Sequence, residues 1–373
     1  MTGLYVHIPF CLKKCHYCDF VITASGSREK HDDFIWALEK EADHFRTRFS
    51  GTVFDTCYIG GGTPSALRAE EMEQLFRIVR ENFKIKEDAE VTCETNPGDS
   101  EVGAILKNFG VNRISLGAQS FNEATLKRLN RAHGALEISK SFHVLRSEGF
   151  KNISLDLMLS LPEESWADVE NSLHRAVDLG PEHVSLYELT IEEKTVFGRE
   201  HRKGKLKIPN EETQLGMLSA AAEFLKANGY RRYELLNYAK PGFESRHNRL
   251  YWANEEYLGL GPGAFSYFGG KRFRRAASFE EYMAKMKNDD WRLYEEEMLN
   301  PQEKEIESFL LALRLVEGAQ VSRFKNLIPR ITKDLKNLEA QGLVLKERQT
   351  IRLTPRGQLL AETVFAELSD VTV

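Results

Sequence analysis

The chain has 373 residues, enough for a large core and more than one domain. Hydrophobic residues make up 42% and charged residues 29%, the balance of a soluble globular protein, and no stretch is long and apolar enough to span a bilayer. A net charge of −5 gives no general nucleic-acid footprint.

The first half alternates β-prone runs with amphipathic stretches. Strands are expected over 4–10, 53–60, 89–95, 111–116, 152–157 and 183–189, with helices over 31–45, 70–83, 101–109, 136–148 and 166–179 between them. Gly110, Gly149 and Gly180 follow the last apolar residue of three of these helices, a C-cap signal. Six β–α units in a row imply a parallel sheet with right-handed crossovers, either an open Rossmann sheet or a barrel.

The strand ends favour the barrel. Cys11 follows the first strand and Gly60, Gly61, Gly62 and Thr63 end the second. Glu94 and Asn96 end the third, Gln119 follows the fourth, Asp156 ends the fifth, and Tyr187 and Glu188 end the sixth. Barrel enzymes place their chemistry at such C-terminal strand ends, whereas a Rossmann site draws on two strands at a switch point. Six units rather than eight predict a partial, three-quarter parallel β/α barrel, open at one side.

The pattern changes after about residue 191. Residues 199–207 read as a basic loop, 211–228 as a helix, and 230–273 as a Tyr-, Gly- and Asn-rich region of short extended runs. The last ~70 residues read as a separate winged-helix-like domain, with helices over 303–316 and 331–340, a hairpin over 342–353 and a further helix from Pro355. The expected division is 1–205 for the barrel, 206–300 for a flanking region and 301–373 for the C-terminal domain. Residues 301–373 hold 11 Lys/Arg and 10 Asp/Glu, so this domain is nearly neutral and nucleic acid is not an expected partner.

Cys11, Cys15 and Cys18 stand in a C-x3-C-x2-C pattern, far from Cys57 and Cys93. Three thiolates can hold three irons of a [4Fe–4S] cluster, leaving the fourth open to a small molecule; cysteine-bound clusters ordinarily take four thiolates. Two alternatives stand beside this. Zinc could take the thiolates plus His16 or His7, although the second ligand pair of a zinc finger is missing. A disulfide would leave one thiol over and suits secreted proteins, whereas no signal-peptide pattern is expected here, since Tyr5, His7 and Pro9 interrupt the first apolar run. The cysteines suggest a reducing, cytoplasmic setting.

The cysteine loop and the Gly-Gly-Gly-Thr-Pro strand end together resemble the radical S-adenosylmethionine superfamily over about the first 190 residues. A closer resemblance is to the oxygen-independent coproporphyrinogen III oxidase family. It rests on Tyr5-Val-His-Ile-Pro-Phe-Cys11, Gly60–Thr63, Ser115-Leu-Gly-Ala-Gln119, Asn130-Arg131 and Asp156-Leu. The resemblance implies S-adenosylmethionine contacts at Tyr5, Gly61, Gly62, Thr63, Glu94, Gln119, Arg131 and Asp156. Each of these alone has a structural reading, such as a core aromatic, a cap or a buried acceptor.

One departure divides that family. Its true oxidases carry a further cysteine two residues after the third cluster ligand, where this chain has Phe20. The segment His247-Asn248-Arg249-Leu250-Tyr251-Trp252 matches the H-N-x-x-Y-W signature of the HemW-type heme chaperones, with one deviation at Ser160, where that group usually has Gly. This resemblance implies a heme-transfer protein that binds a [4Fe–4S] cluster, S-adenosylmethionine and heme, with the decarboxylating oxidase as the rival. It places heme at His247, Tyr251 and Trp252: His is a common heme-iron ligand, and aromatic rings pack on a macrocycle. The basic run from Lys271 to Arg275 is a candidate for heme propionates against the plainer reading of a solvated face. Implied partners are heme and heme-acceptor proteins, including respiratory membrane proteins met by peripheral contact at the inner face of the membrane, and a second copy in a homodimer.

Overall fold

The computed structural model of the protein describes residues 1–24, 27–99 and 102–369. The six expected strands form, in order, as β1 (Thr2–Ile8), β2 (Val53–Gly61), β3 (Lys84–Thr95), β4 (Arg113–Gln119), β5 (Ile153–Leu159) and β6 (His183–Glu188). Each pairs in parallel with the next. A seventh parallel strand, β7 (Glu256–Leu260), lies on the free edge of β1. Its sequence, EYLGL, has no β-branched residue, so its β signal is weak.

Antiparallel strands extend both edges, and the whole sheet has twelve strands. Phe265–Phe268, Lys271–Arg274 and Glu295–Met298 follow β7, while Asn237–Ala239 and Arg231–Arg232 follow β6. The two edges do not pair with each other, which leaves the barrel partial.

Helices cover the outer face because each carries one apolar stripe. Helix Trp166–Leu179 buries Val169, Ser172, Leu173 and Ala176 and ends at Gly180, whose φ of 73° is the left-handed conformation of a C-cap. Three other helices run Arg28–Arg48, Ala69–Asn82 and Ala135–Ser147, each within three residues of expectation at either end. The fifth, Gly103–Asn108, is shorter than expected, and the expected start at residue 101 lies outside the described residues.

The basic stretch read as a loop is in part a helix, Val196–Arg202. Thr195 caps it by accepting from the Gly198 N–H at 3.0 Å. A Cβ at Gly198 would lie 2.2 Å from the Glu192 carbonyl oxygen in the turn just before the helix, so that turn forbids a side chain there, while the Phe197 N–H donates to the His16 carbonyl at 3.0 Å and docks the helix on the cysteine loop. Ser160 adopts φ 62°, the left-handed conformation for which glycine is the unstrained choice.

A second apolar cluster joins Phe309, Leu313, Phe324, Ile331, Leu338, Ile351 and Val364 with Leu235 of the preceding region. It packs helices Pro301–Arg314, Thr332–Ala340 and Ala361–Ser369 on a three-stranded sheet of Ala319–Gln320, Thr350–Leu353 and Val344–Glu347. Helix Arg246–Trp252 links this unit to the barrel. The Arg314 guanidinium lies over the Trp252 ring at 4.3 Å, and Asn254 donates to Ser308 at 2.8 Å.

One buried carboxylate ties the first helix to the β7 side of the barrel. Glu41 accepts from the Gly261 N–H at 2.8 Å and the Tyr282 hydroxyl at 2.9 Å, and it faces Arg275 at 3.4 Å. Glu41 is 1% exposed and Arg275 5%. Removing one partner of a buried pair strands the other charge, at about 3 kcal/mol or more. Glu41→Ala is therefore expected to lower unfolding stability by about 3 kcal/mol in urea titrations; a loss under about 1 kcal/mol would show that this tie does not hold the barrel edge.

Candidate functional site

The cysteine loop leaves β1 and returns beside it. Phe10–Cys11 pairs in parallel with Thr23–Ala24, and the Thr23 N–H donates to the Pro9 carbonyl at 2.6 Å. The glycine end of β2 presses on the same segment. Gly62 N–H donates to the Ile8 carbonyl at 2.8 Å and Thr63 N–H to the Phe10 carbonyl at 2.7 Å. A Cβ at Gly62 would stand 2.6 Å from the Phe10 carbonyl oxygen, and one at Gly61 2.3 Å from His7 Nδ1. Glycine is required at both positions because backbone and ring come this close.

An arc of hydrogen bonds then joins two of the cysteines through three strand ends. Arg131 donates to Cys15 Sγ at 3.4 Å, to Asn96 Oδ1 at 2.6 Å and to the Gly117 carbonyl at 2.7 Å. Asn96 Nδ2 donates to Thr63 Oγ1 at 2.8 Å, and Thr63 Oγ1 lies 3.3 Å from Cys11 Sγ. Asn130, in the left-handed region at φ 62°, donates to the Lys14 carbonyl and pins the loop from the other side. Asn96 is the linking residue whose role the sequence did not disclose; its signal was an Asn-Pro pair closing a strand.

Cys11, Cys15 and Cys18 line one cavity of about 290 Å³ together with Gly61, Gly62, Thr63, Glu94, Gln119, Arg131 and Asp156. Ser115, Asn96, Tyr17, Phe20 and Tyr187 are also in its walls. Tyr5 is the exception among the expected contacts. Its hydroxyl bonds His7 Nδ1 at 3.0 Å and its ring lines a neighbouring cavity.

The polar lining is held firmly. Glu94 accepts from the Tyr58 hydroxyl at 2.8 Å and the Gly61 N–H at 3.0 Å. Burial, and next to it the Asp156 carboxylate, pushes the Glu94 carboxyl up to about 7. Asp156 accepts from Ser115 and Ser154, and burial raises its carboxyl as well. Gln119 sits at φ 64° where the β4–β5 register shifts, a strained backbone at the cavity rim.

The three thiols suit a cluster better than zinc. His7 has both ring nitrogens engaged, Nδ1 by the Tyr5 hydroxyl at 3.0 Å and Nε2 by the Val21 carbonyl at 2.8 Å, and His16, whose Nδ1 bonds the Arg128 carbonyl at 3.0 Å, is not among the described residues that line the thiol cavity. Among the described residues no three His, Cys, Asp or Glu side chains converge on a single ion. A cluster asks for thiolates spread around one cavity, each facing its own iron, and this loop provides them. Burial pushes the Cys11 thiol up to about 11 and raises Cys18, so metal binding must displace their protons.

The H-N-x-x-Y-W segment forms helix Arg246–Trp252, away from this cavity. His247 and Tyr251 share a face as expected, at 2.9 Å from Nε2 to the hydroxyl. His247 Nδ1 is also engaged, by Thr56 Oγ1 at 2.7 Å, and the ring is 1% exposed. Burial, and then Arg113, drives its pKa down to about 3. Both ring nitrogens are thus hydrogen-bonded within the fold and the ring is buried, so the segment packs the barrel floor and His247 is not presented to solvent. Trp252 is half-buried, with one ring face under Arg314. Each of four side chains in the basic run has a carboxylate partner: Lys271 has Glu296, Arg272 has Glu307, Arg274 has the half-exposed Glu295 and Arg275 has the buried Glu41.

The Gly62 approach gives a direct test. Gly62→Ala drives a methyl into the Phe10 carbonyl and is expected to cut iron retained after anaerobic reconstitution to under about half of wild type. Cys15→Ser should lose most of it, while Cys57→Ser, remote from the cavity, should keep it; iron analysis and absorbance near the cluster band read all three.

Residues 5–176 match the radical SAM superfamily. That family implies a [4Fe–4S] cluster and S-adenosylmethionine, and the thiol loop and polar cavity described above fit both. The heme chaperone HemW of Lactococcus lactis is 36% identical over 372 residues, covering 98% of this chain and 96% of that protein. HemW of Bacillus subtilis is 35% identical with 98% of each chain covered, and that of Escherichia coli is 39% identical over 70% of this chain and 69% of its own. Among solved structures, the coproporphyrinogen III oxidase HemN of Escherichia coli, a radical SAM enzyme, superposes with a TM-score of 0.86 at 25% identity, covering 98% of this chain and 89% of its own. The chain thus carries a radical SAM match over residues 5–176 and belongs to the HemW heme-chaperone family.

Proposed function

We propose that this protein binds heme and delivers it to acceptor proteins, using a [4Fe–4S] cluster and S-adenosylmethionine in the barrel. The observation that carries this is near-full-length similarity to HemW proteins, joined to Phe20 at the position where the oxidases have their further cysteine. Cys11, Cys15 and Cys18 would hold the cluster. Gly61, Gly62, Thr63, Glu94, Gln119, Arg131 and Asp156 would hold S-adenosylmethionine, with Tyr5 acting through His7 rather than by contact.

When bound, such a cluster supplies an iron with an open coordination site that a small amino acid can chelate. The chain's own contribution is electrostatic and positional. Arg131 balances the charge of the thiolates, and Glu94 and Asp156 offer acceptor oxygens already oriented by Tyr58, Ser115 and Ser154.

We read the chain as a barrel over 1–205, a flanking region over 206–300 and a winged-helix-like domain over 301–373, whose own apolar cluster supports the last boundary. Peripheral contact with membrane acceptors and a homodimer belong to the same reading. Among the described residues no helix is long and apolar enough to cross a membrane.

The rival is decarboxylation of coproporphyrinogen III, favoured by the HemN superposition. Reconstituted protein is expected to bind hemin anaerobically, to pass it to a heme-free acceptor, and to form no protoporphyrinogen. Robust porphyrinogen turnover would overturn the chaperone reading.

The Glu94 carboxyl adds a pH signature. Below about 7 it is protonated and loses an acceptor; above, it is ionised and accepts from ligand N–H and O–H donors with both oxygens. S-adenosylmethionine affinity should rise about threefold or more from pH ~6 to ~8, and Glu94→Gln should flatten the profile. An unchanged slope in that variant would remove Glu94 from the contact set.

A further inference from the structure

A second cavity, of about 360 Å³, lies beside the cluster cavity and shares one wall with it, Phe20. Its lining includes Tyr5, Tyr251, Tyr257, Phe265 and Arg274. Phe20 is 63% exposed, a large aromatic left in the open between two cavities. We propose that this aromatic cavity is the heme seat, and that it recognises the macrocycle and its carboxylates rather than the iron. The proposal rests on the chaperone reading and locates its cargo.

Three observations support it. The first is the chemistry of the walls. Flat aromatic surface on several sides suits a flat apolar ring system, and the volume lies in the range of small-molecule pockets while taking only part of a tetrapyrrole, leaving an edge free for hand-over. The Tyr251 and Tyr257 rings meet edge-to-face at 4.7 Å, so each holds the other upright.

The second is the cation. Among the described residues, Arg274 is the one Lys or Arg of the cavity lining. It stacks between Phe265 and Tyr294 at 4.8 and 4.9 Å, and its planar fork suits a carboxylate. Its present partner, Glu295, has a side chain 49% exposed and so is a displaceable counter-ion. The Asp19 carboxylate also lines the cavity, so Arg274 sets the side of the mouth at which ligand carboxylates lie.

The third is that the Tyr5, Tyr251 and His7 groups that could ligate iron are already engaged. The Tyr5 and Tyr251 hydroxyls are committed to His7 Nδ1 and His247 Nε2, and His7 Nε2 to the Val21 carbonyl. What these residues present to the cavity is ring surface. A carrier that holds its cargo without a strong iron bond can also release it to an acceptor that supplies one. The same arrangement places the H-N-x-x-Y-W segment at the cargo through Tyr251, with His247 as the group that fixes the Tyr251 ring.

The test uses the reconstituted full-length protein, titrated anaerobically with hemin and with metal-free protoporphyrin IX. Both should bind, with Kd values within about threefold of each other. Phe20→Ala, Phe265→Ala and Arg274→Gln should each weaken both ligands by about fivefold to tenfold with cluster iron retained. Glu295→Gln, which removes the competing carboxylate at an exposed position, should tighten both by about twofold, a gain that misfolding cannot mimic. Hemin binding without porphyrin binding, or hemin binding that none of the four substitutions changes, overturns this seat and leaves the chaperone reading standing. No hemin binding by the wild-type protein overturns both.

Discussion

The approach of the β2 glycine end to the chain leaving β1 is the contact on which the site depends. Gly61 and Gly62 carry no side chain, so the Ile8 and Phe10 carbonyls can reach the Gly62 and Thr63 N–H groups at 2.8 and 2.7 Å. Cys11 is thereby placed against Thr63, and the loop carrying Cys15 and Cys18 starts from a fixed point. The His7 ring fills the space that a Gly61 side chain would take, and from there it holds Val21, the residue next to Phe20. One short stretch of glycine thus joins the thiol loop, the polar cavity and the wall of the tyrosine cavity.

From that point the barrel geometry does the rest. In a parallel barrel every strand ends at the same rim, so residues distant in sequence meet there. Arg131 and Asn96 link Cys15 to Thr63 across the ends of β3 and β2, and Glu94 and Asp156 face each other across the same cavity. Their mutual repulsion adds to burial in raising the Glu94 carboxyl. The cavity can therefore alter its charge near neutral pH without moving a backbone atom.

The opposite end of the barrel is closed by helix Arg246–Trp252. Glu90, where the pairing of β3 with β2 resumes after a register shift, accepts from the Arg246 and His247 N–H groups at 2.9 Å each, so a β-strand carboxylate caps the helix from inside the barrel. Tyr251 reaches from this helix to the tyrosine cavity, and Trp252 reaches outward under Arg314 of the C-terminal unit. A six-residue signature so connects the barrel floor, the proposed cargo seat and the neighbouring domain, although its histidine is buried.

Much was legible in the chain because it is local. The six strands followed from apolar periodicity, and three helix ends from the glycines that cap them. The cysteine triplet followed from spacing, and the polar strand ends from their order along the chain. All but one of the expected S-adenosylmethionine contacts line the thiol cavity, since strand-end position is itself a sequence property. The seventh parallel strand, the helix at Val196–Arg202, the Asn96 link and the fate of His247 were decided by tertiary structure. A five-residue strand without β-branched residues is drawn into the sheet by the edge of β1. Whether a histidine keeps a free lone pair depends on what packs against it, here Thr56 and Tyr251, which the sequence places 191 residues before it and four after. Spacing along the chain determines which side chains share an element; only the packed fold decides which of their atoms remain unspent.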